Sequence, residues 1–220
     1  MRGIDVKCVF NPFFDSTDNL VTAWLARSEM DGEFLLLNGD TLFESGVLRR
    51  LLTAPAAPIT LVVNGKAEYD ADDMKVSICA EGRIRAISKT LVDGMVNGES
   101  IGLMRFSGEG VAAFRSGLDR AVRTERGLNA YYLSVINELT RKIPVETASM
   151  TGLWWGELDS PEDLFKIRSE LAEFGRQGDD RINAYQAPRA AAEARERVTA
   201  EKSRRASERI PAALARSSGA

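Results

Sequence analysis

The fold of this chain turns on Phe34-Leu35-Leu36-Leu37-Asn38-Gly39-Asp40-Thr41-Leu42-Phe43, written FLLLNGDTLF. Four consecutive apolar residues ask for burial as a strand. Within three positions the chain turns at Gly39 and presents the carboxylate of Asp40. In open α/β sheets, ligands sit beyond the carboxyl ends of the strands, where loops carry polar groups without burying them. Asp40 stands at such an end, and Gly39 lets a ligand approach the backbone. Thr41 and Glu44 have capping-box spacing, which predicts a helix from about Leu42 to Leu52, starting right after Asp40.

Outward from this stretch, short apolar segments alternate with helical patterns, as in an α/β domain. Val6 to Phe10 reads as a strand. Leu20 to Met30 reads as a helix with Leu20, Ala23, Trp24 and Arg27 on one side. Ile59 to Val63 is a buried strand, and Met74 to Cys79 with Arg83 to Ser88 forms a hairpin around Glu81-Gly82. Ile101 to Phe106 is a further strand, followed by helices from Gly110 to Val122 and Asn129 to Lys142. A strand near Val145 to Ala148 precedes the apolar, aromatic run Leu153 to Leu158, which ends at Asp159.

Ser160, Pro161, Glu162 and Asp163 mark a helix start, with Leu164, Ile167, Leu171 and Phe174 as its apolar stripe and Gly175 at its end. The patterning divides the chain into an α/β domain over 1–178 and an Ala/Arg-rich tail over 179–220, helical or disordered. From Pro188 onward eight basic residues face four acidic ones with no aromatic residue, which reads as a solvated segment.

With 220 residues, 44% hydrophobic and 28% charged, the chain has room for one sizeable soluble domain plus an extension. The formal net charge of -3 gives no global pull toward nucleic acid or an anionic membrane. No apolar run approaches the ~20 residues that span a bilayer, and MRGIDVKCVF lacks a signal-peptide pattern. Two cysteines, Cys8 and Cys79, fit a reducing compartment, and a cytoplasmic location is expected. There is no histidine. Its absence removes Ser-His-Asp and Cys-His catalysis, histidine general bases and the usual zinc sites. Chemistry here falls to carboxylates, lysine, arginine, backbone amides or a hard metal ion.

Asp159, like Asp40, ends an apolar segment and precedes a capped helix. Two acids at equivalent positions, far apart in sequence, can converge on one Mg²⁺, which takes a few carboxylates with substrate phosphates and water. The alternative reading also stands: Asn-Gly-Asp is an ordinary turn, and an Asp before Ser-Pro serves as a helix-entry residue.

FLLLNGDTLF, followed far downstream by LWWGELDSPEDL, resembles the nucleoside-triphosphate transferase (nucleotidyltransferase) family. The likeness is nearest the bacterial choline-phosphate and aminoethylphosphonate cytidylyltransferases. NPFFDSTDNLVTAWLA at Asn11 to Ala26, DADDMKV at Asp70 to Val76, ISK at Ile87 to Lys89 and GESIGLMRFSGEG at Gly98 to Gly110 extend it. The likeness runs in order from about Val6 to Glu173. It implies a Rossmann-like mixed sheet sandwiched by helices, of the nucleotide-diphospho-sugar transferase type.

By this resemblance Asp40 and Asp159 hold the Mg²⁺ cofactor, and Lys89 steadies the acceptor phosphate. Asn19, Asn38 and Gly39 meet the nucleotide, although Asp18 replaces the first of the family's paired asparagines and Thr22 a common serine. Glu99, Tyr131 and Trp154 line the acceptor. Tyr131, Tyr132, Trp154 and Trp155 offer an aromatic wall for a quaternary ammonium, with core packing expected for at least half of them. The implied partners are an NTP, CTP first, and a small phosphorylated acceptor; a homo-oligomer is left open.

The family opens with a glycine-rich loop bearing an arginine and then a lysine, which grip the triphosphate. MRGIDVKCVF instead matches the family's third strand. The resemblance therefore implies a domain incomplete at its N-terminus, with Phe34 to Leu37 left at an unpaired edge. Two functions rest on these residues. One is Mg²⁺-dependent transfer of CMP, or another NMP, from an NTP to phosphocholine or aminoethylphosphonate, with pyrophosphate release. The other is an inactive remnant or small-molecule-binding module without the triphosphate loop.

Overall fold

In the computed structural model, which describes residues 5–173, apolar strand runs and amphipathic helices follow one another along the chain. Helix α1 (Asn19–Leu25) is followed by strands β1 (Phe34–Leu37) and β2 (Thr41–Phe43), helix α2 (Ser45–Thr53) and strand β3 (Ile59–Asn64). Then come β4 (Lys75–Ile78), β5 (Ile84–Ile87), β6 (Gly98–Phe106), α3 (Glu109–Ala121), α4 (Tyr132–Leu139), β7 (Val145–Ser149) and β8 (Trp155–Glu157). A last helix, α5, covers 161–173. The chain divides into two units, Met1–Asp159 and Ser160–Ala220.

The first unit is built around β6, whose nine residues are buried except at Arg105. The main sheet has the order β5-β4-β6-β3-β7, with β1 also on β6. Because β6 is antiparallel to both β1 and β3, and β3 is parallel to β7, the strands β1, β3 and β7 all run the same way. Their carboxyl ends therefore share one edge of the sheet.

Alternation along the strands feeds two cores. Ile59, Leu61, Val63, Met104 and Phe106 pack with α1, α3 and α4 residues such as Leu20, Phe114 and Ile136. Val62, Ile101, Leu103 and Ala148 face the opposite way, onto Val47 and Leu51 of α2. The result is the expected helix–sheet–helix sandwich with a mixed sheet.

Several expectations need correction. Val6 to Phe10 forms no strand, and Val6 and Phe10 are largely exposed. The run Phe34 to Leu37 is a strand but is not buried on both faces. Phe34 and Leu36 pack on the core, while Leu35 and Leu37 are exposed. Its partner is β6, and its other edge carries no strand among the described residues. The Thr41–Glu44 capping box does not form. Thr41 belongs to β2, which pairs antiparallel with β8, and its hydroxyl donates to the Ile101 carbonyl at 3.1 Å. Helix α2 starts later, with Glu44 at its N-cap and no side-chain cap. Pairing with Trp155–Glu157 outweighed the local capping signal.

The second unit starts as its sequence asks. The Ser160 hydroxyl accepts from the Asp163 N–H at 3.2 Å, and the Asp163 carboxylate accepts from the Ser160 N–H at 2.8 Å, a reciprocal cap. Within α5, Ile167 is buried and Leu171 is exposed, so the stripe is narrower than its spacing suggests. Phe174, Gly175 and the tail over 179–220 lie outside the described residues.

Candidate active site

The common edge of β1, β3 and β7 gathers the polar residues. Two of these strands end alike: β1 runs into Asn38-Gly39-Asp40, and β3 ends at Asn64, followed by Gly65-Lys66. Each is an apolar run stopped by Asn-Gly and then a charge. The start of β6, with Glu99 and Ser100, lies at the same edge because β6 runs in the opposite direction.

The β2–β8 ribbon joins Asp40 to Asp159. Thr41 pairs with Glu157, and the Leu158 N–H donates to the Asp40 carbonyl at 3.0 Å. The two acids thus flank one rung, although 119 positions separate them in the sequence. Asp159 reaches this place through the ribbon and not through a strand of the main sheet. The Asp40 Oδ1 atom is buried without a hydrogen-bond partner. A desolvated carboxylate oxygen of this kind is costly unless something else satisfies it, and a hard cation does so. Among the described residues no three Asp, Glu or Cys side chains form a protein-only metal cage. Two carboxylates completed by phosphate oxygens and water fit Mg²⁺ better than a full protein shell does.

Glu157 was missed in the sequence. Part of the residue faces solvent, yet its carboxyl is pushed up to about 7, first by lost hydration and then by the charges of Asp159 and Asp40. Its strand pairing sets Glu157 opposite Thr41, the neighbour of Asp40. The available signal was the i, i+2 spacing of Glu157 and Asp159, which sets both on one side of an extended segment.

A second polar group lies at the β3 end. Lys66 Nζ bonds Asp73 at 2.7 Å and Glu99 at 2.9 Å, and Asn64 Nδ2 donates to Glu99 at 2.7 Å. Burial opposes the Lys66 charge, but the two carboxylates outweigh it and hold the ammonium well above its ordinary value. Burial raises the Glu99 carboxyl, while Lys66 helps hold Asp73 below its usual range against its own desolvation. Glu99 belongs to a buried strand, not to an exposed loop. The repeated Asn-Gly-charge pattern was the clue to Lys66.

Asn19 and Asn38 meet at Tyr132. The Tyr132 N–H donates to Asn19 Oδ1 at 2.9 Å, and its hydroxyl donates to Asn38 Oδ1 at 2.6 Å. Gly39 is exposed, and a Cβ there would meet nothing within 4 Å. The Lys89 ammonium lies 4.7 Å from the centre of the Tyr131 ring, so a protein cation already occupies a face expected to take a ligand cation.

The four-residue aromatic wall does not form as one surface. Tyr132 is buried in one core and Trp155 packs against the other, on opposite faces of the sheet. Tyr131 and the half-buried Trp154 stand outside those cores.

No family model matches the chain. Over 166 residues, 73% of its length, it is 23% identical to a bifunctional IPC transferase and DIPP synthase of Aquifex aeolicus (strain VF5) and covers 34% of that protein. Over 55 residues, 25% of its length, it is 44% identical to the CMP-5'-(3-aminopropyl)phosphonate synthase of Streptomyces rubellomurinus (strain ATCC 31215), of which it covers 9%. The chain thus spans about a third of the first relative and a small part of the second. Among solved structures, the CTP:phosphocholine cytidylyltransferase of Streptococcus pneumoniae superposes with a TM-score of 0.55 at 15% identity. That match covers 74% of this chain and 67% of the other, a likeness of fold.

Proposed function

We propose that the chain is a nucleotidyltransferase that transfers CMP from CTP to a small phosphorylated amine, of the phosphocholine or aminoethylphosphonate class. Pyrophosphate is released, and the reaction depends on Mg²⁺. The observation that supports this reading is the β2–β8 pairing, which bonds the Asp40 carbonyl to Leu158, the neighbour of Asp159, while Asp40 Oδ1 is buried and unpaired. Relatives named for CMP and CTP chemistry on phosphorylated acceptors support the choice of nucleotide. Among the described residues no helix is long and apolar enough to cross a membrane.

An oxygen of the acceptor phosphate or phosphonate forms a bond to the α-phosphorus, and the bond to pyrophosphate breaks with its electron pair. The acceptor is ionised near neutral pH, so no proton must be removed and no histidine is needed. Asp40 and Asp159 would hold Mg²⁺, which spreads the charge developing on the phosphate oxygens. Asn19 and Asn38 orient the nucleotide. Lys89, set by Tyr131, meets the acceptor phosphate, while Glu99 and Trp154 border the amine.

Pyrophosphate release is measured with CTP, Mg²⁺ and each acceptor. Asp40→Asn is expected to lower release by about 100-fold or more, the scale of losing a principal charge-stabilising group. An unchanged rate removes Asp40 from the site. No release from the parent chain across nucleotides and acceptors, with acceptor binding retained, favours the binding-module reading.

A further inference from the structure

One residue outside the proposed chemistry touches both asparagines. Tyr132 is 3% exposed, at the start of α4. Its backbone N–H faces Asn19 Oδ1 and its hydroxyl faces Asn38 Oδ1, at 2.9 and 2.6 Å. An N–H can only donate, so the Asn19 amide has its oxygen turned to Tyr132 and its NH₂ turned away. Burial, with the charges of Asp40 and Glu157, holds the Tyr132 phenol well above its ordinary value, so it stays protonated and donates. Asn38 is fixed in the same sense. It is gripped further because its backbone N–H donates to the Gly102 carbonyl at 2.9 Å and its side chain fills the space beside Gly102.

We propose that Tyr132 is a positioning residue that engages the carbonyl oxygens of Asn19 and Asn38 and so fixes which way each amide faces, turning its NH₂ donors away from Tyr132 and toward a ligand. An asparagine amide otherwise reads either donors or acceptors. Oriented in this way, the pair favours ligand oxygens, such as those of a phosphate, a ribose or a pyrimidine carbonyl, over an amino group at the same points. This rests on the nucleotide reading of the site. The two ends of Tyr132 act separately: the Asn19 contact uses the backbone and survives side-chain change, whereas the Asn38 contact needs the hydroxyl.

The test uses Tyr132→Phe, which keeps the ring, and Asn38→Asp, which keeps the shape but replaces the free donor with an acceptor. Side-chain amide NMR of the ¹⁵N-labelled chain reads the positioning without any ligand. In Tyr132→Phe the Asn38 amide signal is expected to shift and exchange faster, with the Asn19 signal unmoved. Calorimetry with Mg²⁺ and CTP is expected to show binding about 10-fold weaker in Tyr132→Phe, the loss of one oriented hydrogen bond, and weaker still in Asn38→Asp. Affinity for the acceptor should stay as in the parent.

An unmoved Asn38 signal in Tyr132→Phe, or parent-like CTP affinity in Asn38→Asp, overturns the proposal. Equal shifts at Asn19 and Asn38 overturn it too, because they report a general loosening of α4. If the parent binds no nucleotide while Asn38 alone responds, the positioning holds and the nucleotide reading falls.

Discussion

Asn38 and its neighbours show how much depends on single atoms. Gly102 has a φ of +74°, and a Cβ there would stand 2.6 Å from Asn38 Cγ. Gly102→Ala therefore carries a backbone penalty and a clash, and is expected to cost about 2 kcal/mol by urea denaturation. It also displaces Asn38. Gly39 offers the opposite case, since an added methyl meets no protein atom. Gly39→Ala is expected to change stability by less than about 0.5 kcal/mol. If a nucleotide approaches this backbone, the same variant weakens its binding, and calorimetry separates the two effects. The strand that stops before Gly39 and Asp40 was legible from FLLLNGD alone because a strand followed by a turn is a local pattern. The roles of Gly102 and Tyr132 were not legible, because each acts on a residue distant in sequence.

The β2–β8 ribbon is the element that decides the site. Its three rungs carry Asp40 at one end and Glu157 beside it. Raising the Glu157 carboxyl from 4.5 to about 7 means that the folded chain holds this proton more tightly than the unfolded chain does. Its contribution to stability is therefore greatest below about pH 4.5 and is lost as pH rises toward 7. Glu29, Asp73 and Asp119, held below their ordinary values, act in the opposite sense at lower pH. In metal-free buffer, Glu157→Gln is expected to flatten the fall in stability between pH 5 and pH 8. An equally steep fall in the variant would show that Glu157 is not the group responsible. The ribbon was misread as the start of a helix because Thr41–Glu44 satisfies a local rule. No local rule announces a partner strand more than a hundred residues away.

Across the first unit, one column of rings ties the core to the site. Phe34 stacks on Phe106 at 4.6 Å, Phe106 on Phe114 at 4.5 Å, and Phe114 meets the edge of Tyr132 at 6.5 Å. Phe106 is fully buried in the middle. Phe106→Ala is expected to cost about 3–5 kcal/mol in urea denaturation, and a loss under about 1 kcal/mol would show that the column collapses around the gap. The α/β class, the strand runs at Ile59–Val63 and Ile101–Phe106 and the helices after them could be read from the sequence, since burial and periodicity are properties of neighbours along the chain. The absence of histidine is a property of composition alone. Tertiary structure alone decided that Val6 to Phe10 joins no strand among the described residues, that β1 buries a single face, and that Thr41 lies opposite Glu157. It also decided that Lys66 sits between Asp73 and Glu99. Pairing and desolvation depend on which distant segments meet, and that is set by the packed sheet.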